Sequence, residues 1–241
     1  MVPWDREVFG FAVAQIQDLE VVDSHRAMAD YRAFPDWLDA GGVGIVNSRL
    51  PHQQLRESMF LEANGFRFVE MVLHPTLGNL QSLDIPQDDL RITLARETDL
   101  PELQDIAEHA FRYERFHVDP RLDPRLGDLR YRRWVTSSLG HPAQRLLKVT
   151  DGDRLVALFL VESRDDRSAY WHLTAVAPAW QGRGYGYRVW RSMLRHHQAE
   201  GCNGLTTTIS ARNVEVLNLY SKLGFRFHPP EMTFHWIREK A

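Results

Sequence analysis

The run "VAPAWQGRGYG", residues 176–186, decides how this chain is expected to fold. It closes a strand-like stretch, "SAYWHLTAVAP" (168–178), and opens "GYGYRVWRSMLRHHQAEG" (184–201). In the second stretch Val189, Trp190, Met193, Leu194 and His197 share one helical face, and Gly201 marks the stop. A glycine-rich turn between strand and helix lets backbone N–H groups converge at the positive end of the helix dipole, where an anion such as a phosphate is favoured. Arg183 adds a fixed cation suited to phosphate. The same glycines would serve a plain tight turn. No Lys-Ser/Thr follows, so this is not a Walker A loop, and "GRGYG" lacks the third glycine of the dinucleotide fingerprint.

Working outward, "RLLKVTDGDRLVALFLVES" (145–163) predicts two strands joined at Asp151-Gly152, a strong hairpin signal. Before it, "LRYRRWVTSSLG" (129–140) has helical spacing and ends at Gly140, while "RYERFHVDPRLDPRLGD" (112–128) is too rich in proline and charge to predict a regular element. "RITLARETDLPELQDIAEHAF" (91–111) predicts a strand and then a helix, with Asp99 as N-cap and Glu102 completing a capping box. After the glycine loop, "LTTTIS" (205–210) is β-branched, and "NVEVLNLYSKLG" (213–224) is a short helix capped by Asn213 and stopped by Gly224. "FRFHP" and "EMTFHWI" then predict a final strand pair. Strands and helices so ordered predict an α/β domain over 91–241, a mixed sheet flanked by helices. The proline-containing stretch ending at 86–90 predicts a linker, and residues 1–85 a smaller α/β lobe.

The bulk numbers narrow the function classes. The 241 residues are 44% hydrophobic and 25% charged, as in ordinary globular proteins, and a net charge of −3 gives no basic field for nucleic acid or anionic membrane. No apolar run approaches the length of a membrane span. The N-terminus shows no basic segment followed by an apolar one, and the single Cys202 allows no internal disulfide, so a cytoplasmic location is expected.

One short motif occurs twice. "NGFRF" (64–68) and "LGFRF" (223–227) each follow a helical run and precede a strand-like one, "VEMVLH" and "EMTFHWI". Either the chain reuses a common helix stop by chance, or the first block is a second, incomplete version of the later domain. The first copy has no glycine loop, and Met59, Phe60 and Leu61 lie where the second helix carries Tyr220.

A strand ending in Val-x-Pro, then Gln-x-x-Gly-x-Gly opening a helix, and about thirty residues later "NVEVLNLYSKLGF", together resemble the GCN5-related N-acetyltransferases, over roughly residues 91–241. The resemblance implies that fold, with the first block as a degenerate half-domain, and acetyl-CoA as co-substrate. It further implies that the backbone of Thr174, Ala175 and Val176 runs beside the pantetheine arm like an added strand. The amides of Gln181, Gly182, Arg183, Gly184, Tyr185 and Gly186 would hold the pyrophosphate, Asn213 would contact the cofactor near its arm, and Tyr220 would face the thioester sulfur as general acid. A phenol is a competent acid in that place; alone, Tyr220 would equally fit a core aromatic. Amides near Val176 would polarise the carbonyl oxygen.

A narrower resemblance, of "WDREVFGF" (4–11) and "RFHVDP" (115–120), is to the dTDP-fucosamine acetyltransferases, although Arg6 and Val8 depart from that pattern. It implies a nucleotide-linked amino sugar as the acceptor amine, with His117 and Asp119 near it; His172 is a third candidate substrate contact. Relatives with a glutamate base on the strand before Asn213 differ from this chain, which has Thr208 there, leaving His172, His117 or water to take the amine proton. Arg115, Arg121, Arg125 and the "RYRR" run (130–133) form a solvated face or meet a diphosphate. His196 and His197 are expected on solvated helix surface, and no metal site is expected. Cys202 has no nearby histidine to activate it. The partner expected is a small-molecule amine, not nucleic acid or membrane, with a homodimer left open. A protein N-terminus or small amine as acceptor, and a non-catalytic acetyl-CoA-binding module, are the alternatives.

Overall fold

The computed structural model describes residues 3–238, apart from the side chains of Pro3, Trp4 and Ser24. The outer ends of both expected blocks and the side chain of Trp4, which heads the "WDREVFGF" motif, therefore lie outside the described residues. In chain order the elements begin α1 (Pro3–Phe9), β1 (Ala12–Ile16), α2 (Ser24–Tyr31), α3 (Phe34–Ala40), β2 (Val43–Pro51), α4 (Leu55–Ala63), β3 (Arg67–Leu73) and β4 (Pro75–Leu77). Next come β5 (Arg91–Leu94), α5 (Leu100–Ala110), α6 (Arg115–Val118), α7 (Pro124–Ser138), β6 (Gln144–Asp151), β7 (Arg154–Ser163) and β8 (Ser168–Val176). The last are α8 (Tyr185–Ala199), β9 (Gly204–Thr207), β10 (Ile209–Ser210), α9 (Val214–Lys222), β11 (Arg226–Phe227) and β12 (Glu231–Ile237).

Two compact units are interleaved along the chain rather than divided at one linker. The first holds residues 1–72, 114–126 and 229–241, and the second 73–113 and 127–228. In the first unit β1 runs parallel to β2, and β12 lies antiparallel between β2 and β3. Its core gathers Leu38, Val46, Leu61, Phe66 and Phe234. The expected final strand pair does not form: β11 pairs with β4 in the second unit, while β12 joins the sheet of the first. Pro229 and Pro230 separate the two strands, and proline cannot carry a ladder hydrogen bond across that gap.

The repeated punctuation is the same piece of backbone both times. Gly65 and Gly224 both stand at φ +84°, a conformation that favours glycine at a helix stop. The Phe66 amide then donates to the Leu61 carbonyl at 3.0 Å, and the Phe225 amide to that of Tyr220 at 3.0 Å, the reach-back bond of a Schellman stop. Each phenylalanine is then buried in the core of its own unit. The strands that follow the two copies, β3 and β12, pair with each other, Met71 opposite Met232.

The second unit is a seven-stranded mixed sheet in the order β11-β4-β9-β8-β7-β6-β5. All its pairings are antiparallel except β8 with β9. Val156–Val161 on β7 are wholly buried because the sheet is covered on both faces. One core joins the sheet to α8 and α9 through Phe159, Trp171, Trp190, Met193 and Tyr220. The other joins it to α5 and α7 through Leu103, Ile106, Val135, Leu158 and Leu173. The α8 stripe holds as expected, since Val189, Trp190, Met193 and Leu194 are all buried; each such side chain contributes about 1.5–3 kcal/mol on burial. The hairpin also forms at Gly152, φ +60°.

Two local expectations differ. Asp99 does not cap α5 with its side chain; its carboxylate accepts the Arg96 amide at 2.8 Å, closing the turn over Glu97–Asp99 that precedes the helix, and the Lys148 ammonium at 2.6 Å. The "RYERFHVDPRLDPRLGD" stretch, expected to be irregular, holds the one-turn α6 and the start of α7, because Pro124 at a helix start loses no hydrogen bond.

Candidate active site

The pivot of the second unit is a bulge in β8. Leu160 on β7 faces Leu173, but the next residue, Val161, faces Trp171, so His172 is an extra residue without a counterpart. A bulge of this kind bends the strand and re-aims its side chains. Before it Ala169 and Trp171 point into the α8–α9 core; after it Leu173 and Ala175 point into the α5–α7 core. At the same place β8 parts from β9, their last paired residues being Trp171 and Thr207. Beyond that point β8 is bonded on one edge only. The Ala177 amide donates to Val156 on β7, so by alternation Leu173 and Ala175 bond β7 while Thr174 and Val176 turn their amides to the open edge.

The glycine loop lies at the end of this edge. Gln181 turns back, its side-chain amide donating to the Val176 carbonyl at 3.0 Å. Gly182 and Gly184 stand at φ +70° and +80°, and an added Cβ at either would meet nothing within 4 Å, so glycine is demanded by the backbone rather than by crowding. Gly184 caps α8 with no side chain, which leaves the first-turn amides to be satisfied from outside. Trp180 lies under two guanidinium groups, Arg154 at 5.1 Å and Arg183 at 5.5 Å. The Tyr185 hydroxyl donates to Asp151, which pushes that phenol up, and Gly186 packs on Leu219 of α9. An open strand edge running into uncapped amides fits an extended chain that ends in a diphosphate.

Tyr220 reaches this edge from α9. It is 1% exposed, and burial raises its pKa, keeping the phenol protonated. The polar groups of Trp190, Thr174 and Thr207 lie near its hydroxyl and oppose that rise, although the Trp190 indole N–H makes no hydrogen bond among the described residues and the Thr207 hydroxyl donates to the Trp171 carbonyl at 2.9 Å. Asn213 caps α9, its Oδ1 accepting the Val216 amide at 3.3 Å.

On the opposite face of the sheet the bulge presents His172. Its Nε2 lies 2.8 Å from Glu162, and its ring meets Tyr170 and Trp134 edge to face, with centroids at 4.8 and 5.9 Å. The Tyr170 hydroxyl is 2.7 Å from Thr208 Oγ1, which is 3.4 Å from His74 Nδ1. Thr174–Val176, residues 181–186, Asn213, Tyr220 and His172 thus all belong to the second unit. Glu162, Tyr170, Trp134 and Thr207 escaped the sequence, since each meets its partner across elements rather than within one.

His117 and Asp119 fall in the first unit. Asp119 is 2% exposed, its carboxylate taken by Arg121 at 2.9 and 2.7 Å and by His235 Nδ1 at 2.9 Å. Although burial opposes ionisation, the His235 and Arg121 hydrogen bonds prevail and hold Asp119 well below the usual carboxylate range, while burial lowers the pKa of His235. Arg121, Arg125 and Arg132 are each engaged by a carboxylate: Asp119, Asp123 and Glu108. His197, expected on solvated surface, is 1% exposed instead. It sits on the apolar stripe of α8, accepts the Trp171 indole at 3.0 Å, and faces Glu200, which Arg145 holds bidentately. Burial pushes the Cys202 thiol up, as befits an inert thiol.

Among the described residues no helix is long and apolar enough to cross a membrane. Residues 100–225 match the acetyltransferase (GNAT) family. Over 223 residues, 90% of this chain and 72% of the relative, the sequence is 26% identical to a mycothiol acetyltransferase of Corynebacterium efficiens. Among solved structures it is similar to a tandem GNAT protein from the clavulanic acid biosynthesis pathway, with TM-score 0.61, 12% identity and coverage of 96% of this chain and 77% of that one. A GCN5-related N-acetyltransferase from Sphaerobacter thermophilus gives TM-score 0.60 at 15% identity, covering 88% and 71%. With its family match spanning the splayed strands, the glycine loop and the Tyr220 helix, this chain belongs to the GNAT family of acetyltransferases and is an N-acetyltransferase.

Proposed function

We propose that this enzyme moves an acetyl group from acetyl-CoA to the primary amine of a nucleotide-linked amino sugar, by direct transfer, with Tyr220 as general acid. The observation that carries the mechanism is the buried Tyr220 phenol beside Thr174, whose amide turns to the open edge of β8. The amides of Thr174 and Val176 would bond the pantetheine arm, residues 181–186 the pyrophosphate, and Asn213 the arm beyond. Acetyl-CoA supplies the activated acetyl group; the phenol, kept protonated by burial, supplies the proton that a departing thiolate needs.

The amino-sugar acceptor rests on the "WDREVFGF" and "RFHVDP" motifs. In this account the first unit is a degenerate half-domain, supported by its copy of the Gly-Phe stop, by Leu61 in the place of Tyr220, and by the likeness to a tandem protein. Within the first unit Asp119, buried against Arg121 and His235, holds the segment that carries His117, the acceptor residue that the "RFHVDP" resemblance implies. A second acceptor class, another small-molecule amine, is supported by the mycothiol acetyltransferase relative.

CoA release measured with a dTDP-linked 4-amino sugar, a panel of small amines and an alanine-initiated peptide tests the assignment. The amino sugar should give the highest kcat/KM, and His117→Ala should raise its KM while leaving acetyl-CoA affinity unchanged. Turnover confined to the peptide would replace the acceptor class. Acetyl-CoA binding with no turnover on any amine would leave a binding module in place of the enzyme.

A further inference from the structure

We infer that His172, held by Glu162, is the general base that takes the proton from the acceptor amine. The inference rests on the acetyl transfer proposed above and adds the base which that scheme lacks.

The bulge makes this assignment. His172 is the unpaired residue of β8, placed where the strand leaves β9 and directly before Thr174 and Val176 turn their amides to the open edge. Tyr220 approaches that edge from the α8–α9 face, and His172 projects on the face that carries Trp134 of α7. The proposed acid lies beside Thr174 on one face of β8, and His172 stands two residues earlier on the other face. The second observation is the carboxylate. Glu162 lies 2.8 Å from His172 Nε2, which assigns the proton to Nε2 and leaves Nδ1 as the acceptor. A carboxylate so placed fixes the tautomer and stabilises the imidazolium as it forms. His172 has 18% of its side chain in solvent, enough to be reached by an amine, while Trp134 and Tyr170 brace the ring edge to face. The groups facing it are Glu162 on β7, Tyr170 on β8 and Trp134 on α7, with the Arg130 guanidinium 5.4 Å from the Trp134 ring.

The step balances. The neutral amine's lone pair forms the C–N bond; the C–S bond breaks and its electron pair goes to sulfur. The nitrogen, now positive, gives its proton to His172 Nδ1, and the sulfur takes one from Tyr220. Solvent exchange returns a proton from the imidazolium to the phenolate, so amine and thioester become amide and thiol with no net change in protons.

The test uses the full-length enzyme, the dTDP-linked 4-amino sugar and small-amine panel, and kcat/KM across pH 5–9. His172→Gln should lower kcat by about 100- to 10,000-fold, reduce the rising acidic limb to the single ionisation of the amine itself, and leave acetyl-CoA affinity by calorimetry unchanged. Glu162→Gln should lower kcat less, and Glu162→Asp should restore part of the rate. A merely structural His172 would alter acetyl-CoA affinity or thermal stability without touching the limb. Turnover by His172→Gln at the unaltered rate, with the limb intact, overturns the assignment while acetyl transfer stands. If the unaltered enzyme binds acetyl-CoA and turns over no amine, the transfer scheme fails and the base with it.

Discussion

Tyr220 is to the second unit what Leu61 is to the first. Each lies in the last turn of a short helix, is 1% exposed, and accepts at 3.0 Å the amide of the phenylalanine that follows a glycine at φ +84°. The shared stop fixes which face the residue occupies, and only one of the two places holds a proton donor. Burial alone therefore does not require a hydroxyl here, since leucine fills the same position. The phenol is an addition to the scaffold.

Gly184 tests the loop. Its φ of +80° is strained for any residue with a Cβ, by roughly 1–2 kcal/mol, although open space surrounds the site. Gly184→Val should weaken acetyl-CoA binding by tenfold or more in calorimetry, by turning the amides of the first helical turn and placing a branched side chain in the anion's path. Unchanged affinity in a folded variant would remove the loop from the cofactor site.

The loop, the Asp151-Gly152 hairpin and both glycine stops were legible because each depends on a local backbone conformation that names its own residue type. The bulge was not. His172 looks like any polar member of an alternating strand, and only the register against β7 shows it to be extra. The destination of β12 was equally hidden, since "EMTFHWI" alternates just as well beside "FRFHP" as beside β2 and β3. His197 was read as polar, hence solvated, although its place on the α8 stripe already marked it as buried. Side chains that bond across elements, as Glu162 does to His172, leave no local trace.

The Asp119 cluster carries a stability prediction. Asp119→Ala should cost about 3 kcal/mol, the lower end for breaking a buried charged pair, because Arg121 keeps 33% of its side chain in solvent. Asp119 titrates below the usual carboxylate range when folded, so its contribution is full above about pH 4 and lost as pH falls through the depressed value. Urea denaturation at pH 7 measures the loss. A variant of unchanged stability but raised acceptor KM would make Asp119 a direct acceptor contact instead.

His197 sets an acid limit to folding. Its Nε2 accepts the Trp171 indole, and burial lowers its pKa from 6.5 to about 4. Below pH 6.5 the unfolded chain therefore gains a proton that the folded chain refuses, and stability falls down to about pH 4. Glu200, held at about 2 by Arg145, adds a contribution present above 4.5 that is lost as pH falls through 2. Between pH 7.5 and 5 the unaltered protein should lose more stability than His197→Gln in urea titrations. Identical pH slopes for the two proteins would contradict the assignment.

Acetyl transfer with Tyr220 as its acid is tested most directly by Tyr220→Phe in single-turnover measurements of CoA release, with chemistry limiting. The ring and its packing remain, so acetyl-CoA affinity and thermal stability should stay close to those of the unaltered enzyme. Loss of the proton donor should slow the step by about 100- to 10,000-fold, roughly 3–5 kcal/mol of barrier. Release at the unaltered rate would make Tyr220 a core aromatic, as Leu61 is, and contradict the mechanism.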